Sequence, residues 1–203
     1  KTIADVFAEV GRGRADHGVV PIENSTEGVV THTLDMFVDS DLKIVSQIVM
    51  PIQHCLCSKV PRGQVRKIFS HPQALAQCRG WVQLHFRGAE VVETSSTTRA
   101  AELAGTAPNA AAIASALAVE KYGLRILQSD IQDNAGNATR FLVLGRQCPP
   151  ATGKDRTSLM ISITDKVGAL YGALAPFRRF RINMTKIESR PSKKKAWEYY
   201  FFI

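Results

Sequence analysis

The sequence predicts an α/β protein followed by a smaller β-α-β-β unit. Three observations carry this. Apolar runs of strand length alternate with segments of helical period through residues 1–146. Residues 147–156 then hold Pro149, Pro150 and Gly153 without apolar periodicity, which is the texture of a linker. Residues 157–203 resume with one strand pattern, one helix pattern and two further strand patterns.

In order, residues 3–10 read as a helix and 18–22 as a strand. The polar stretch Glu23-Asn24-Ser25-Thr26-Glu27-Gly28 leads into a helix expected over 27–38. Residues 42–50 alternate as a strand until Pro51 breaks the pattern, and 53–59 form the next. Residues 65–69 are a short buried strand, after which Pro72 opens a helix to about residue 86. Proline suits the first helical turn, where its missing N–H has no intrahelical partner. A strand at 89–92 passes through Thr94-Ser95-Ser96-Thr97-Thr98 into a helix at 99–104. Asn109-Ala110 reads as loop or strand edge, and 112–122 as a helix capped by Gly123. Strands at 126–131 and 140–144 complete a mainly parallel sheet. After the linker come a strand (157–164), a helix (169–177), a strand (182–189), a turn at 191–195 and a strand from Trp197. This is most of a ferredoxin-like βαββαβ unit, without its last helix and strand.

Composition narrows the function. The 203 residues are 45% hydrophobic and 22% charged, proportions of a globular chain, with no apolar run long enough to span a membrane. The net charge of +8 is dispersed, concentrating only at residues 178–181 and 193–195, where aromatics are sparse. A nucleic-acid partner is therefore not expected, and a small dianionic substrate suits the charge. The four cysteines form no C-x-x-C pairs and no disulfide framework, and His54, Cys55, Cys57 and His71 lack metal-site spacing. Reduced thiols, a cytoplasmic location and no metal or cofactor are expected. The Lys1 start and the apolar ending Tyr199-Tyr200-Phe201-Phe202-Ile203 read as the edges of a fragment.

Three strand-to-helix junctions are unusually polar: Glu23-Asn24-Ser25-Thr26, Ser70-His71-Pro72-Gln73 and Thr94-Ser95-Ser96-Thr97-Thr98. Each could be plain helix capping. Together they exceed what capping needs, and in an open α/β sheet such junctions lie where ligands bind. None has the glycine spacing of a nucleotide loop, so a small anion is expected. A fourth polar stretch, Asp133-Asn134-Ala135-Gly136-Asn137-Ala138-Thr139-Arg140-Phe141, brings Thr139 and Arg140 to the start of a strand. Arg140 is either a bidentate carboxylate clamp or a structural ion-pair residue.

These stretches resemble the prephenate dehydratase family. The matching segments are VVPIENSTEGVV (19–30), TLD (33–35), SHPQALAQC (70–78), TSSTTRAA (94–101) and NATRF (137–141). GALYGAL (168–174) and INMTKIESRP (182–191) resemble its regulatory ACT domain. The resemblance implies a catalytic region at 1–146 of two subdomains, periplasmic-binding-protein-like of type II, with the active site in the cleft between them. Crossovers are implied near 50–53 and 127, then a linker at 147–156 and an incomplete ACT domain at 157–203. It implies conversion of prephenate to phenylpyruvate, carbon dioxide and water in phenylalanine biosynthesis, with phenylalanine as feedback effector. Thr139 is implied as the catalytic hydroxyl. Asn24, Ser25, Ser70, Gln77, Ser96, Thr97, Thr98, Arg140 and Phe141 are expected to bind substrate. Gly168, Ala169, Leu170, Asn183, Glu188, Ser189, Arg190 and Pro191 are expected to bind the effector between paired ACT domains, hence a homodimer or homotetramer. Two departures stand out. The family's initial strand and glycine-containing turn are missing, and Val167 replaces a usual proline. Arogenate dehydratase is the nearest rival. A binding module for small anions is another.

Overall fold

The structure is a computed structural model that describes residues 2–163, 165–193 and 198–203. Lys194, Lys195 and Trp197, expected in the last turn and final strand, lie outside the described residues, as does Thr164 at the expected end of an earlier strand. Two compact units form, one of Lys1–Met50 with Thr139–Ile203, the other of Pro51–Ala138.

The first unit opens with α1 (Ile3–Gly11) on a reciprocal cap. Thr2 Oγ1 accepts the Asp5 N–H at 3.2 Å, and Asp5 Oδ2 accepts the Thr2 N–H at 2.7 Å. Strand β1 (Gly18–Asn24) starts on glycine for a steric reason: a Cβ there would lie 2.5 Å from Val6 Cγ1 of α1. A hairpin then leads to β2 (Gly28–Val29), Asn24 facing Gly28, which takes φ +86°. The helix expected from Glu27 starts only at Thr31, as α2 (Thr31–Phe37). The cause lies in Asn24, whose Oδ1 accepts the N–H groups of Thr26 and Glu27 at 2.9 and 3.0 Å and reverses the chain. Strand β3 (Lys43–Pro51) follows.

The second unit runs β4 (Cys55–Ser58), β5 (Lys67–Ser70), α3 (Pro72–Gln77), α4 (Arg79–His85), β6 (Glu90–Glu93), α5 (Thr97–Ala104), β7 (Ala110–Ala114), α6 (Ala116–Tyr122) and β8 (Arg125–Gln128). Its sheet has the order β6-β5-β7-β4-β8. The sheet is mixed rather than mainly parallel. β5 is parallel to β6 and β7, whereas β4 is antiparallel to β7 and β8. The crossover β7-α6-β8 keeps its strands parallel, and β4 is inserted against them. Because β8 is locked to β4, the chain leaves this unit at Ala138 rather than near Leu127.

Two further expectations change here. The helix over 72–86 breaks at Cys78, whose backbone turns to φ −117°, ψ 12° with its thiol fully buried. The Asp133 carboxylate restarts it by accepting the Gly80 and Trp81 N–H groups at 2.9 and 3.0 Å. Residues 110–114 (AAAIA) form a strand, and the helix starts only at Ala116. Alanine prefers helix, but β7 lies mid-sheet with both faces covered. Ala110, Ala112 and Ala114 meet α5 and α6, while Ala111 and Ile113 meet α3 and α4.

The chain re-enters the first unit in β9 (Ala138–Gly145), giving a sheet of order β2-β1-β9-β3 over a core of Phe7, Val10, Val20, Leu34, Leu142 and Leu144. After a stretch without regular structure come β10 (Met160–Ile163), α7 (Ala169–Arg179), β11 (Glu188–Pro191) and β12 (Tyr199–Phe202). The antiparallel order β10-β12-β11 is that of the first three strands of a ferredoxin-like unit. The strand expected over 182–189 is found at Glu188–Pro191, paired with β12 from Glu188 opposite Phe202 to Pro191 opposite Tyr199. Phe202 packs on the core beneath the larger sheet.

Candidate functional site

The polar run after β1 has a structural task and a chemical one. Asn24 and Thr139 are cross-strand partners of β1 and β9, and Asn24 Nδ2 donates to Thr139 Oγ1 at 2.8 Å. A bulge between Pro21 and Glu23 makes this possible. Strict alternation would put Asn24 on the core face with Val20 and Ile22, whereas the extra residue turns it to the face of Thr139. Two backbone N–H groups already hold Asn24 Oδ1, so the amide cannot flip without losing them. Thr139 Oγ1 is therefore an acceptor from Asn24, and its own O–H is left to donate. Accepting one hydrogen bond strengthens the next one donated. Ser25 sits exposed in the turn, and Phe141 lies half-buried opposite Pro21.

Arg140 points to the other face. Its guanidinium donates to Gln47 Oε1 at 2.8 Å and lies 3.6 Å from Glu23 Oε2. Glu23 Oε1 is 3.2 Å from the Lys186 ammonium, whose nitrogen is buried. Arg140 thus stands in an ion pair with Glu23.

In the second unit, the 70–73 and 94–98 junctions lie side by side at the carboxyl edge of the parallel strands, joined where Thr94 N–H donates to Ser70 O at 2.8 Å. Their side chains differ in use. Ser70 is fully buried and donates to Ile113 O at 2.7 Å, so its hydroxyl ties β5 to β7. Ser96 caps α5 by accepting the Arg99 N–H at 3.0 Å, and His71 Nδ1 caps α3 from the Gln73 N–H at 3.2 Å. Thr97 is half-buried and Thr98 exposed on the first turn of α5.

Gln77 belongs to a largely buried polar network with His54 and Asn137. Its Oε1 is 2.9 Å from His54 Nε2 and accepts from Asn137 Nδ2 at 2.9 Å. His54 and Asn137 are buried, 8% and 3% exposed. Asn137 lies inside the NATRF stretch, whereas nothing in the sequence pairs His54 with Gln77. Among the described residues, no group of three or more His, Cys, Asp or Glu side chains is gathered as a metal site requires. Burial pushes the Cys57 and Cys78 thiols up to about 12, which makes them inert core residues.

The residues expected to bind an effector divide. Gly168 starts α7 in a left-handed conformation (φ +78°), followed by Ala169 and Leu170. Asn183 and Ser189 are exposed, and Glu188 and Pro191 frame β11. Arg190 is already engaged, donating to both Asp35 carboxylate oxygens of α2 at 2.9 and 3.1 Å, with Lys193 Nζ on Oδ2 at 2.7 Å. The TLD stretch contained Asp35, but nothing in the sequence gave its partner. The Arg190 hydrogen bonds, aided by Lys193, hold Asp35 down from 3.8 to about 2. A depressed carboxyl pKa stabilises the fold above its ordinary value and loses that contribution as pH falls through the native one. Asp35→Asn is therefore expected to cost on the order of 1–2 kcal/mol at pH 7, allowing for solvent screening, with the gap from wild type closing between about pH 4 and 2. Urea unfolding of both proteins at pH 7 and pH 3 checks this; an equal gap at both pH values would refute it.

No helix among the described residues is long and apolar enough to cross a membrane. The prephenate dehydratase family profile matches residues 1–149. The bifunctional chorismate mutase/prephenate dehydratase of Aquifex aeolicus is 50% identical over 203 residues, covering 100% of this chain and 56% of its own length. The chain thus spans just over half of that relative. The prephenate dehydratase of Arthrobacter aurescens, solved in complex with L-Phe, superposes with a TM-score of 0.79 at 36% identity, covering 96% of this chain and 67% of its own. A chain described as GqqA, a novel type of quorum-quenching acylase, superposes with a TM-score of 0.82 at 32% identity, covering 100% and 75%. With the profile spanning both α/β units and the sequence similarity running the full length, the chain belongs to the prephenate dehydratase family.

Proposed function

We propose that the protein performs the decarboxylative dehydration of prephenate to phenylpyruvate. The observation that carries this is the oriented Asn24–Thr139 pair, which leaves a hydroxyl donor at the head of β9. In the reaction the bond to the ring carboxylate breaks and carbon dioxide leaves. Its electron pair enters the ring, the opposite C–O bond breaks, and the departing hydroxide takes up a proton to leave as water. Aromatisation supplies the driving force. The protein's task is to orient the substrate and to place a donor at the leaving oxygen. Thr139 is that donor and Asn24 its orienter. Ser25, Gln77, Phe141 and the Ser96-Thr97-Thr98 turn are the further substrate-facing groups of this reading.

L-Phenylalanine is the proposed effector, at Gly168-Ala169-Leu170, Asn183 and Glu188-Ser189-Arg190-Pro191 of paired ACT domains in a cytoplasmic homodimer or homotetramer. The Arthrobacter relative's L-Phe complex supports it. The Asp35 grip on Arg190 means an effector using that guanidinium competes with α2 for it. The similarity to GqqA favours a second reading, acyl-group hydrolysis on the same fold.

The test is to follow phenylpyruvate release from prephenate in the presence and absence of phenylalanine, with arogenate and an N-acyl substrate as parallel arms. Turnover of prephenate supports the proposal. Turnover of arogenate alone moves the reading to the transaminated substrate, and hydrolysis of the N-acyl compound alone replaces it with an acylase.

A further inference from the structure

The Asn24–Thr139 pair has an ionic counterpart directly behind it. Glu23 and Arg140 are the preceding cross-strand partners of β1 and β9, and neighbouring pairs of a ladder point to opposite faces. By the same alternation Arg140 shares its face with the core residues Leu142 and Leu144. From β9 it reaches the strands on either side, donating to Gln47 Oε1 of β3 at 2.8 Å and lying 3.6 Å from Glu23 Oε2 of β1. The second oxygen of Glu23, Oε1, is 3.2 Å from the Lys186 ammonium. Each carboxylate oxygen thus faces its own cation, which fixes the rotation of the Glu23 side chain.

Lys186 comes from outside this sheet, from the stretch between α7 and β11. Its side chain is 32% exposed, yet its nitrogen is buried and has no hydrogen-bond acceptor. The stem lies outward and the charge inward, the reverse of how a lysine usually snorkels. A buried ammonium needs a counter-charge beside it, and among the described residues Glu23 is the carboxylate within ion-pair distance. Farther along, Arg190 and Lys193 hold Asp35 of α2. Residues 186–193 are thereby tied at two points to the β1–β2–α2 segment that carries Asn24.

The placing of Glu23 matters because of the bulge. The β1–β9 register shifts between Pro21 and Glu23, and the pairs beyond the shift are Glu23–Arg140 and Asn24–Thr139. So short a ladder past a bulge leaves its register on β9 to side chains. With Glu23 pinned by two cations, Asn24 stays on the face where its Nδ2 meets Thr139 Oγ1 at 2.8 Å.

We propose that Lys186 is a positioning residue: through Glu23 it fixes the end of β1 beyond the bulge and so aims the Asn24 amide at Thr139. The kinetic consequence rests on the dehydratase reading, whereas the orientation of Asn24 does not. Lys186→Met keeps the stem and removes the charge, and Glu23 then still has Arg140, so no buried charge is stranded. Lys186→Arg keeps the charge.

The test uses the full chain labelled with 15N, with prephenate as substrate. In Lys186→Met the Asn24 side-chain amide resonances should be displaced, and kcat should fall roughly tenfold with KM changed less than about threefold. Lys186→Arg should restore most of both. In a Thr139→Ala background, Lys186→Met should lower kcat by less than about twofold more, because residues that act as a unit are not additive. Asn24 resonances unmoved in Lys186→Met overturn the proposal. So does full kcat in that variant, or a further loss of about tenfold in the Thr139→Ala background. A merely structural lysine would lower the melting temperature and leave the Asn24 resonances and kcat in place. Should Lys186→Met not fold, Lys186→Gln is read by the same criteria, and nuclear Overhauser contacts between the Lys186 ε-methylene and the Glu23 side chain must be present in the wild type for the proposal to stand. Absence of prephenate turnover in the wild-type chain defeats the dehydratase reading alone, and the Asn24 resonances then decide the role of Lys186.

Discussion

Replacing Thr139 with alanine is expected to lower kcat for prephenate about a hundredfold, equivalent to about 3 kcal/mol of transition-state stabilisation. The leaving hydroxide gains its charge only as the C–O bond breaks. A donor aimed there is worth little in the ground state, so KM should move by less than about threefold. Thr139→Ser keeps the hydroxyl and Asn24 Nδ2 as its donor, and should retain most activity. Asn24→Ala removes the orienting amide and also frees the Thr26 and Glu27 N–H groups, loosening the turn. It should therefore reduce both kcat and stability. Steady-state kinetics with prephenate for all three variants, beside their melting curves, decides the matter. A Thr139→Ala protein within threefold of wild type would remove the hydroxyl from the chemistry.

Much of this molecule was legible in its sequence, and the losses have physical causes. Strand β1, helix α1 and the Gly123 cap follow from local pattern, and local pattern alone specifies them. The helix expected from Glu27 failed because a single asparagine side chain could either cap a helix or close a hairpin, and Gly28 at φ +86° selects the hairpin. Polar junctions showed that the 70–73 and 94–98 stretches share an edge, but not which hydroxyls face outward. Ser70 and Thr98 look alike in sequence; one is fully buried and the other exposed. Partners distant along the chain were invisible. Asp35 with Arg190 and His54 with Gln77 required the fold to bring them together. The bulge that turns Asn24 toward Thr139 also has no sequence signal, because it is a property of the β1–β9 pairing.

The strand Ala110–Ala114 carries the second large expectation. Four of its five residues are alanine, so Ile113 alone supplies bulk to the layer formed with Leu56, Val65, Ile68, Ala74, Cys78, Val82 and Ile131. It is fully buried, and strands on both sides hold the backbone at fixed spacing, which limits collapse around a deletion. Ile113→Ala should cost about 3 kcal/mol, lowering the melting temperature by roughly 6–12 °C for a chain of this size. On the opposite face, Ala112 lies among Cys57, Phe69, Ala101 and Ala104 with no exposure, so Ala112→Leu should also destabilise, by about 1–3 kcal/mol of overpacking. A helix would give a different pattern, since residues 112 and 113 would point about 100° apart and share a face with neighbours three and four positions away. Ser70→Ala completes the set. Its hydroxyl bonds the Ile113 carbonyl, so the variant should lose about 1–2 kcal/mol by leaving that buried oxygen unpaired. Its prephenate kinetics should stay near wild type at temperatures where it remains folded. If Ser70→Ala instead lost turnover at unchanged stability, the hydroxyl would belong to the substrate site and not to the sheet.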